Sequence, residues 1–87
     1  MENPEVSIVI VSYNVKDFLR KCLASVYQSI DIPVSYEVIV IDNNSSDGSL
    51  EMLKQDFPWV KVIANTENKG FSGANNQGIE IAQSENI

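Results

Sequence analysis

Three short runs of apolar and mostly β-branched residues divide this chain, and each run leads directly into a polar segment. The runs cover residues 6–11, 36–41 and 60–64. A continuous apolar run of this length is typical of a strand buried on both faces of a parallel sheet. Ligands of open parallel sheets bind at the carboxyl ends of the strands, so the polar segments stand where such a fold places its site.

Helical periodicity fills the first interval between the runs. Apolar residues recur there at i, i+3, i+4 and i+7, which predicts an amphipathic helix over residues 15–29. Asn14 and Asp17 resemble a capping box at its start, because a side-chain acceptor precedes the helix and an acid follows three residues later. Ile32-Pro33 is expected to end the helix and turn the chain. The apolar stripe of this helix consists of Leu19, Cys22, Leu23 and Val26.

Two further helices are predicted, over residues 49–56 and 72–84. The first is expected to turn Leu50, Leu53 and Phe57 to one apolar face. The inner face of the second is expected to contain Ala74, Gly78, Ile81 and Ala82, where small residues allow close packing on the sheet.

The resulting order, β-α-β-α-β-α, predicts a parallel sheet, because crossover connections of this kind are right-handed. A lysine within the third run, Lys61, indicates a strand at the sheet edge, where charge discourages unwanted pairing. The strand order is therefore predicted as 3-2-1. The expected architecture is α/β, a three-layer Rossmann-like fold with helices on both faces of the sheet.

The helical pattern continues to Gln83 with no closing strand after it, which predicts that residues 1–87 are the first part of a larger fold. A complete three-layer minidomain is the alternative. If the sheet is unfinished, the free side of the first strand is an apolar edge, which predicts a homodimer, an exchanged element or poor solubility.

Composition narrows the function classes. Twelve acidic residues against six basic ones give a net charge of −6, which argues against a nucleic-acid groove. An anionic ligand would then need backbone N–H groups or a metal ion. Histidine is absent, and a single cysteine, Cys22, provides no disulfide framework, which suits a reducing cytosol. The acidic N-terminus does not resemble a signal peptide.

Two of the polar segments contain candidate binding side chains. Tyr13 can stack on a planar base, although packing on the protein is the alternative. Asp42 directly follows the second run and is placed to accept from a ribose hydroxyl or a base N–H. Asp47, five residues later, is expected to form a turn or a helix cap instead.

The third polar segment contains Gly70 and Gly73, which allow close backbone approach, although a plain turn explains them equally well. Its spacing fits neither a P-loop nor a dinucleotide-binding fingerprint. The three segments contain no nucleophile–base pair and no metal-ligand cluster. From the residues alone, the sequence predicts a nucleotide-type binding half-site.

Three motifs carry a family resemblance. They are the first run with Ser12-Tyr13-Asn14, the second run with Asp-Asn-Asn-Ser-Ser-Asp-Gly at 42–48, and Asn-Lys-Gly-Phe-Ser-Gly-Ala-Asn-Asn-Gln-Gly at 68–78. Together they resemble the N-terminal part of the nucleotide-sugar-binding domain of the family 2 glycosyltransferases, which are inverting enzymes of the GT-A fold. The third motif resembles the rhamnosyltransferase-like branch, which implies a deoxysugar donor. Many members have Ala-Arg-Asn where this chain has Ala74-Asn75-Asn76, so a contact from that arginine is not available here.

The resemblance implies transfer of a hexosyl or deoxyhexosyl group from a UDP-, dTDP- or GDP-sugar in bacterial cell-surface polysaccharide synthesis. It places the protein in the cytoplasm, with the inner face of the membrane as a site of peripheral attachment. The metal-binding Asp-Xaa-Asp motif, the catalytic base and the acceptor half would lie beyond residue 87, so a divalent ion, Mg or Mn, would find its ligands outside this chain. Residues matching the family's nucleotide contacts are Val11, Ser12, Tyr13, Asn14, Asp42, Asn44, Asn68, Gly70, Phe71, Asn75 and Asn76.

Two other classes remain as alternatives. The first is a non-enzymatic α/β domain that binds a nucleotide or has a regulatory role, like a receiver domain. A receiver domain would need paired acids after its first strand, where this chain has Ser12-Tyr13-Asn14. A nicotinamide-dependent enzyme would need a glycine-rich turn at the same place.

Overall fold

Six elements alternate along the chain in the computed structural model, which describes residues 4–29 and 35–82. Most predicted boundaries agree with the structure to within one residue, but the last helix begins two residues earlier than expected. The last helix also ends at Ile81, three residues before its predicted end, because Ala82 has an extended backbone. The Ile32-Pro33 turn lies outside the described residues. The elements are β1 (Val6–Ser12), α1 (Lys16–Ser29), β2 (Tyr36–Asp42), α2 (Ser49–Asp56), β3 (Lys61–Ala64) and α3 (Gly70–Ile81).

The three strands form a parallel sheet in the order β1-β2-β3, which confirms the predicted α/β fold and the 3-2-1 order. The β1–β2 pairing runs in unbroken register and ends at Ser12 opposite Asp42. The central strand β2 is buried from its second residue to its last, as its apolar run predicts. β1 is only half-buried along most of its length, because β2 is its one partner among the described strands.

The predicted edge position of Lys61 is confirmed, and the structure adds the partner of its charge. The Lys61 ammonium lies 2.9 Å from Glu37 Oε1 on the neighbouring strand β2. The hydroxyl of Ser7 on β1 donates to the other oxygen of the same carboxylate at 2.7 Å. One polar row therefore crosses all three strands and neutralises a carboxylate whose side chain is only 7% exposed.

Helices α1 and α2 cover one face of the sheet. Their buried side chains pack on the residues of β2 that point to that face. The predicted inner face of α2 was partly wrong, since Met52 and Leu53 are buried and Leu50 is only half-buried. The reason is local: Ser49 is held inward by hydrogen bonds to Asp47, so the buried stripe starts from Ser49. The core on this face consists of Leu19, Leu23, Val38, Val40, Met52, Leu53 and Val60.

Helix α3 covers the opposite face and packs on Ile39 and Ile41. A Cβ on Gly78 would collide with Val9 Cγ1 and would lie 2.8 Å from Ile41 Cδ1, so the close approach predicted from small residues is confirmed. The inner stripe follows four-residue steps from Ala74, which leaves Ile81 to one side and 43% exposed, contrary to expectation. Within the described residues, no helix has the length and apolarity needed to cross a bilayer.

Candidate functional site

The polar segments after the three strands meet at one edge of the sheet, as parallel strands require. Backbone hydrogen bonds extend the strand pairing beyond the last strand residues. The N–H of Asn43 donates to the carbonyl of Ser12 at 2.8 Å, and the N–H of Asn65 donates to the carbonyl of Asp42 at 2.9 Å. The backbones of the three loops are therefore still hydrogen-bonded to one another where the loops begin.

Two buried oxygens at this edge, one in Ser12 and one in Asp42, have no hydrogen-bond partner among residues 4–29 and 35–82. These residues are paired in register and lie at 1% and 0% relative exposure. One carboxylate oxygen of Asp42, Oδ2, accepts from the N–H of Ser45 at 2.9 Å, whereas Oδ1 has no partner. Buried polar groups are nearly always satisfied, so two unpartnered oxygens on adjacent strand ends mark a place where a water molecule or a ligand supplies the partner.

The first two loops are joined by reciprocal hydrogen bonds. The N–H of Asn14 donates to Ser45 Oγ at 2.9 Å, and the N–H of Ser46 donates to Asn14 Oδ1 at 2.8 Å. Both loops contain a left-handed asparagine, Asn14 at φ 50° and Asn44 at φ 72°. The predicted capping box was therefore wrong: Asn14 bonds to the second loop, and α1 begins one residue later, at Lys16.

The cap of α1 comes from Asp47, in a different loop. Its Oδ2 accepts from the N–H of Lys16 at 2.9 Å, and its Oδ1 accepts from both the N–H and the hydroxyl of Ser49. The prediction of a turn or cap at Asp47 is confirmed, and the same side chain ties the starts of two helices together. The bond from the Ser49 hydroxyl, followed by the bond from the Lys16 N–H, holds the pKa of Asp47 below its ordinary value.

The third loop is held by a group of amide side chains that sequence reasoning did not select. Asn43 is 2% exposed and Asn65 9%, and both directly follow strands. The strand-end rule used for Asp42 could have found these two residues. Gln77, on α3, gave no comparable signal, because its partner Asn65 is distant in sequence and is brought near only by folding.

The remaining predicted site residues surround the same edge. Tyr13, in the first loop, and Phe71, in the first turn of α3, are large aromatic side chains that are 50% and 72% exposed. Asn68 accepts from the N–H of Gly70 at 2.8 Å, and Gly70 has a left-handed φ of 73°. Four others are distributed around them: Val11 is half-buried on β1, Asn44 and Asn76 are exposed, and Asn75 is half-buried on α3.

The side chains described at this edge do not form a metal site. No group of three His, Cys, Asp or Glu side chains lies within residues 4–29 and 35–82 in a position to hold a metal ion. A divalent cation prefers about six oxygen ligands, and Asp42 presents a single unpartnered oxygen, so the described residues do not fit a metal centre. Lys69, in the third loop, is engaged with Glu67 at 3.5 Å.

A cavity of about 510 Å³ lies between α1 and α2 and extends to Ser45 and Ser46 of the second loop. Within it, Arg20 contacts Asp56 at 3.6 Å. A smaller cavity of about 170 Å³ lies against β1 next to Ser12 and is walled by Phe18 and Cys22. We assign the candidate site to the strand ends, where the unsatisfied oxygens and the exposed aromatic side chains are.

Known structures share this fold. A mannosyltransferase from Pyrobaculum calidifontis, solved with GDP-mannose and Mn²⁺, superimposes with a TM-score of 0.78 at 23% sequence identity. The match covers 94% of this chain and 25% of that protein. The chain has the fold of the N-terminal portion of a GT-A domain.

Sequence relatives agree with the structural match. A poly(ribitol-phosphate) β-glucosyltransferase from Bacillus spizizenii is 39% identical over 87 residues, which is 95% of this chain and 14% of that protein. The glycosyltransferase AglE from Haloferax volcanii is 35% identical over 80 residues, 88% of this chain and 26% of that protein. The chain thus spans between 14% and 26% of the length of these two relatives. The family model for glycosyl transferase family 2 matches residues 7–87, and the chain belongs to that family.

Proposed function

We propose that this chain holds the nucleoside of a nucleotide-sugar donor within a larger glycosyltransferase. The observation that carries the proposal is the unpartnered Asp42 Oδ1 at the last rung of the β1–β2 ladder. A base N–H would satisfy that oxygen, and a hydrogen bond to a charged group is worth more than a neutral one. Tyr13 and Phe71 supply exposed rings on which the base can stack.

The proposal includes a movement of the first loop. Asp42 Oδ1 has less than 1 Å² of accessible surface, so a base reaches it only after the residues above it shift. The first loop is linked to the second through the Asn14–Ser45 and Ser46–Asn14 hydrogen bonds. Because these bonds are exposed, water can replace them at a small cost in free energy. Both asparagines with positive φ, Asn14 and Asn44, lie in this pair of loops, and such backbone conformations concentrate at ligand-binding segments.

The wider reaction is also part of the proposal. The donor is a UDP-, dTDP- or GDP-sugar, the transferred group is a hexose or deoxyhexose of the rhamnosyltransferase-like branch, and transfer is a single inverting displacement by an acceptor hydroxyl. The matched mannosyltransferase was solved with GDP-mannose and Mn²⁺, which supports a nucleotide-sugar donor and a divalent ion. The ligands of that ion and the catalytic base belong to segments outside these 87 residues.

The cellular setting is a further part of the proposal. A poly(ribitol-phosphate) glucosyltransferase among them supports a role in bacterial cell-surface polysaccharide synthesis, carried out in the cytoplasm or at the inner face of the membrane. In this arrangement the present residues bind and orient the donor, and the chain alone has no transfer activity.

The decisive experiment is calorimetric titration of the full-length protein with UDP, dTDP and GDP in the presence of Mg²⁺ or Mn²⁺. We expect at least one nucleoside diphosphate to bind, and inorganic diphosphate to bind much more weakly, because it lacks the base that contacts Asp42. Failure of all three nucleotides to bind, with the protein folded by circular dichroism, would overturn the proposal.

A further inference from the structure

Three amide side chains form one continuous hydrogen-bonded line beneath the third loop. Asn43 Oδ1 accepts from the backbone N–H of Lys69 at 3.1 Å, and Asn43 Nδ2 donates to the carbonyl of Gly70 at 3.2 Å. Asn65 Nδ2 donates to Asn43 Oδ1 at 3.1 Å. Asn65 and Gln77 then exchange two bonds, at 2.8 and 2.9 Å.

The polarity of this line is set at its loop end. A backbone N–H can only donate and a carbonyl can only accept, so Lys69 and Gly70 fix which end of the Asn43 amide is oxygen. That oxygen requires a donor from Asn65, which fixes the Asn65 amide. The remaining oxygen of Asn65 then requires the donor of Gln77, so each orientation follows from the one before.

The backbone at the start of α3 depends in turn on Asn43. Lys69 provides no side-chain cap for α3, and Gly70 begins the helix in a left-handed conformation. Apart from the local bond from Gly70 to Asn68, the backbone at 69–70 is positioned by Asn43. Asn43 follows Asp42 and Gly70 precedes Phe71, so this line joins the two sides of the candidate site.

We propose that Gln77 is a positioning residue for the nucleotide site, acting through Asn65 and Asn43 on the backbone of Lys69 and Gly70. Gln77 does not touch the ligand. It stabilises the orientation of Asn65 and Asn43, and Asn43 in turn holds the backbone of Lys69 and Gly70 next to Phe71. The inference rests on the proposed function, since it takes the ligand of these loops to be a nucleotide.

The test uses Gln77→Glu in the full-length protein, a change that keeps the shape of the side chain. The introduced carboxylate places an oxygen against Asn65 Oδ1, where Gln77 had a donor. If the Asn65 amide turns over to donate to that oxygen, it no longer donates to Asn43 Oδ1. The conflict therefore reaches the loop. At about pH 8 we expect nucleoside diphosphate affinity to fall about tenfold relative to wild type, the scale of one directed hydrogen bond.

The pH dependence of the affinity separates a positioning role of Gln77 from a general loss of structure in the variant. As the pH falls to about 5 and below, the introduced carboxyl regains a donor, and the affinity ratio to wild type should return toward one. The matched control is Gln28→Glu, the same charge change at an exposed position on α1, which should keep the wild-type affinity at both pH values. Thermal melts confirm that each variant is folded at the assay temperature.

A second variant covers the case in which Gln77→Glu does not fold. Gln77→Met removes both amide bonds without adding charge, and it should weaken binding at both pH values with no recovery on acidification. A folded Gln77→Glu with wild-type affinity at about pH 8 would overturn the inference, whereas absence of binding by wild type would overturn the proposed function instead.

Discussion

Ser12 and Asp42 face each other at the last rung of the β1–β2 ladder, and each buries an oxygen that no described group satisfies. Leaving a buried polar atom without a partner costs roughly 1–3 kcal/mol, so two such atoms at adjacent positions substantially lower the free energy of unfolding of a small domain. The rest of the sheet edge is well satisfied. The pair therefore differs from the satisfied polar residues around it, and this difference is the basis for the proposed ligand contact at Asp42.

Asp42, at the end of β2, and Asp47, in the loop that follows, should differ in function. Asp42→Ala in the full-length protein should weaken nucleoside diphosphate binding by about 10- to 150-fold, because a hydrogen bond to a charged group is lost. Asp47→Ala should leave affinity nearly unchanged, because both carboxylate oxygens of Asp47 are already used by Lys16 and Ser49. Calorimetry on both variants measures the contrast, and equal losses at the two positions would contradict the assignment.

The cap at Asp47 predicts an acid-sensitive contribution to stability. The pKa of Asp47 is lowered in the folded protein, so its contribution is present above the unfolded value near 3.8 and is lost as the pH falls through the lower folded value. At neutral pH, Asp47→Ala should reduce the melting temperature by about 4–8 °C, the scale of one lost cap in a domain of this size.

Thermal melts between neutral pH and about pH 3 measure this contribution. The difference between wild type and Asp47→Ala should narrow as the wild-type carboxylate is protonated. Asp17→Ala is the matched control, since Asp17 is exposed in the first turn of α1 and pairs with Arg20 at 3.7 Å. A difference that stays constant with pH would contradict the capping role.

The contact between α3 and the sheet should not tolerate a methyl group at Gly78. Gly78→Ala drives a new Cβ against Val9 and Ile41, and overpacking of this kind costs about 1–3 kcal/mol of unfolding free energy. Gly73→Ala, on the same helix, meets only Lys69 Cβ at 3.3 Å and should stay within about 1 kcal/mol of wild type, because higher helix propensity offsets the contact. Urea denaturation measures both, and wild-type stability of Gly78→Ala would disprove the close packing.

The free side of β1 should make the 87-residue chain associate. Within the described sheet this strand pairs only with β2, and Val15 and Phe18 beside it are 42% and 71% exposed. We expect light scattering to show an apparent mass that rises with concentration, through pairing of edges or exchange of an element. Phe18→Lys should reduce the association without loss of fold, because that side chain is mostly outside the core. A wild-type chain that stays monomeric at high concentration and melts cooperatively would contradict this expectation.

Local pattern was sufficient for the secondary structure and the sheet. The three apolar runs, the helical stripes and a charged residue at Lys61 predicted the parallel order, because burial on two faces and edge exposure leave different residue patterns. The same reasoning placed Asp42 at a strand end and Asp47 in a turn. These features depend on residues that are near one another in sequence.

Only the tertiary structure decided which partners the polar side chains use. Asn14 bonds to the second loop instead of capping α1, Asp47 caps a helix that begins 31 residues earlier at Lys16, and Gln77 meets Asn65 across 12 residues. A polar side chain can bond to many neighbours with similar energy, so its choice depends on the distances that packing creates. Apolar burial follows from sequence periodicity, whereas the directed hydrogen bonds of the site exist only once the sheet has brought its strand ends together.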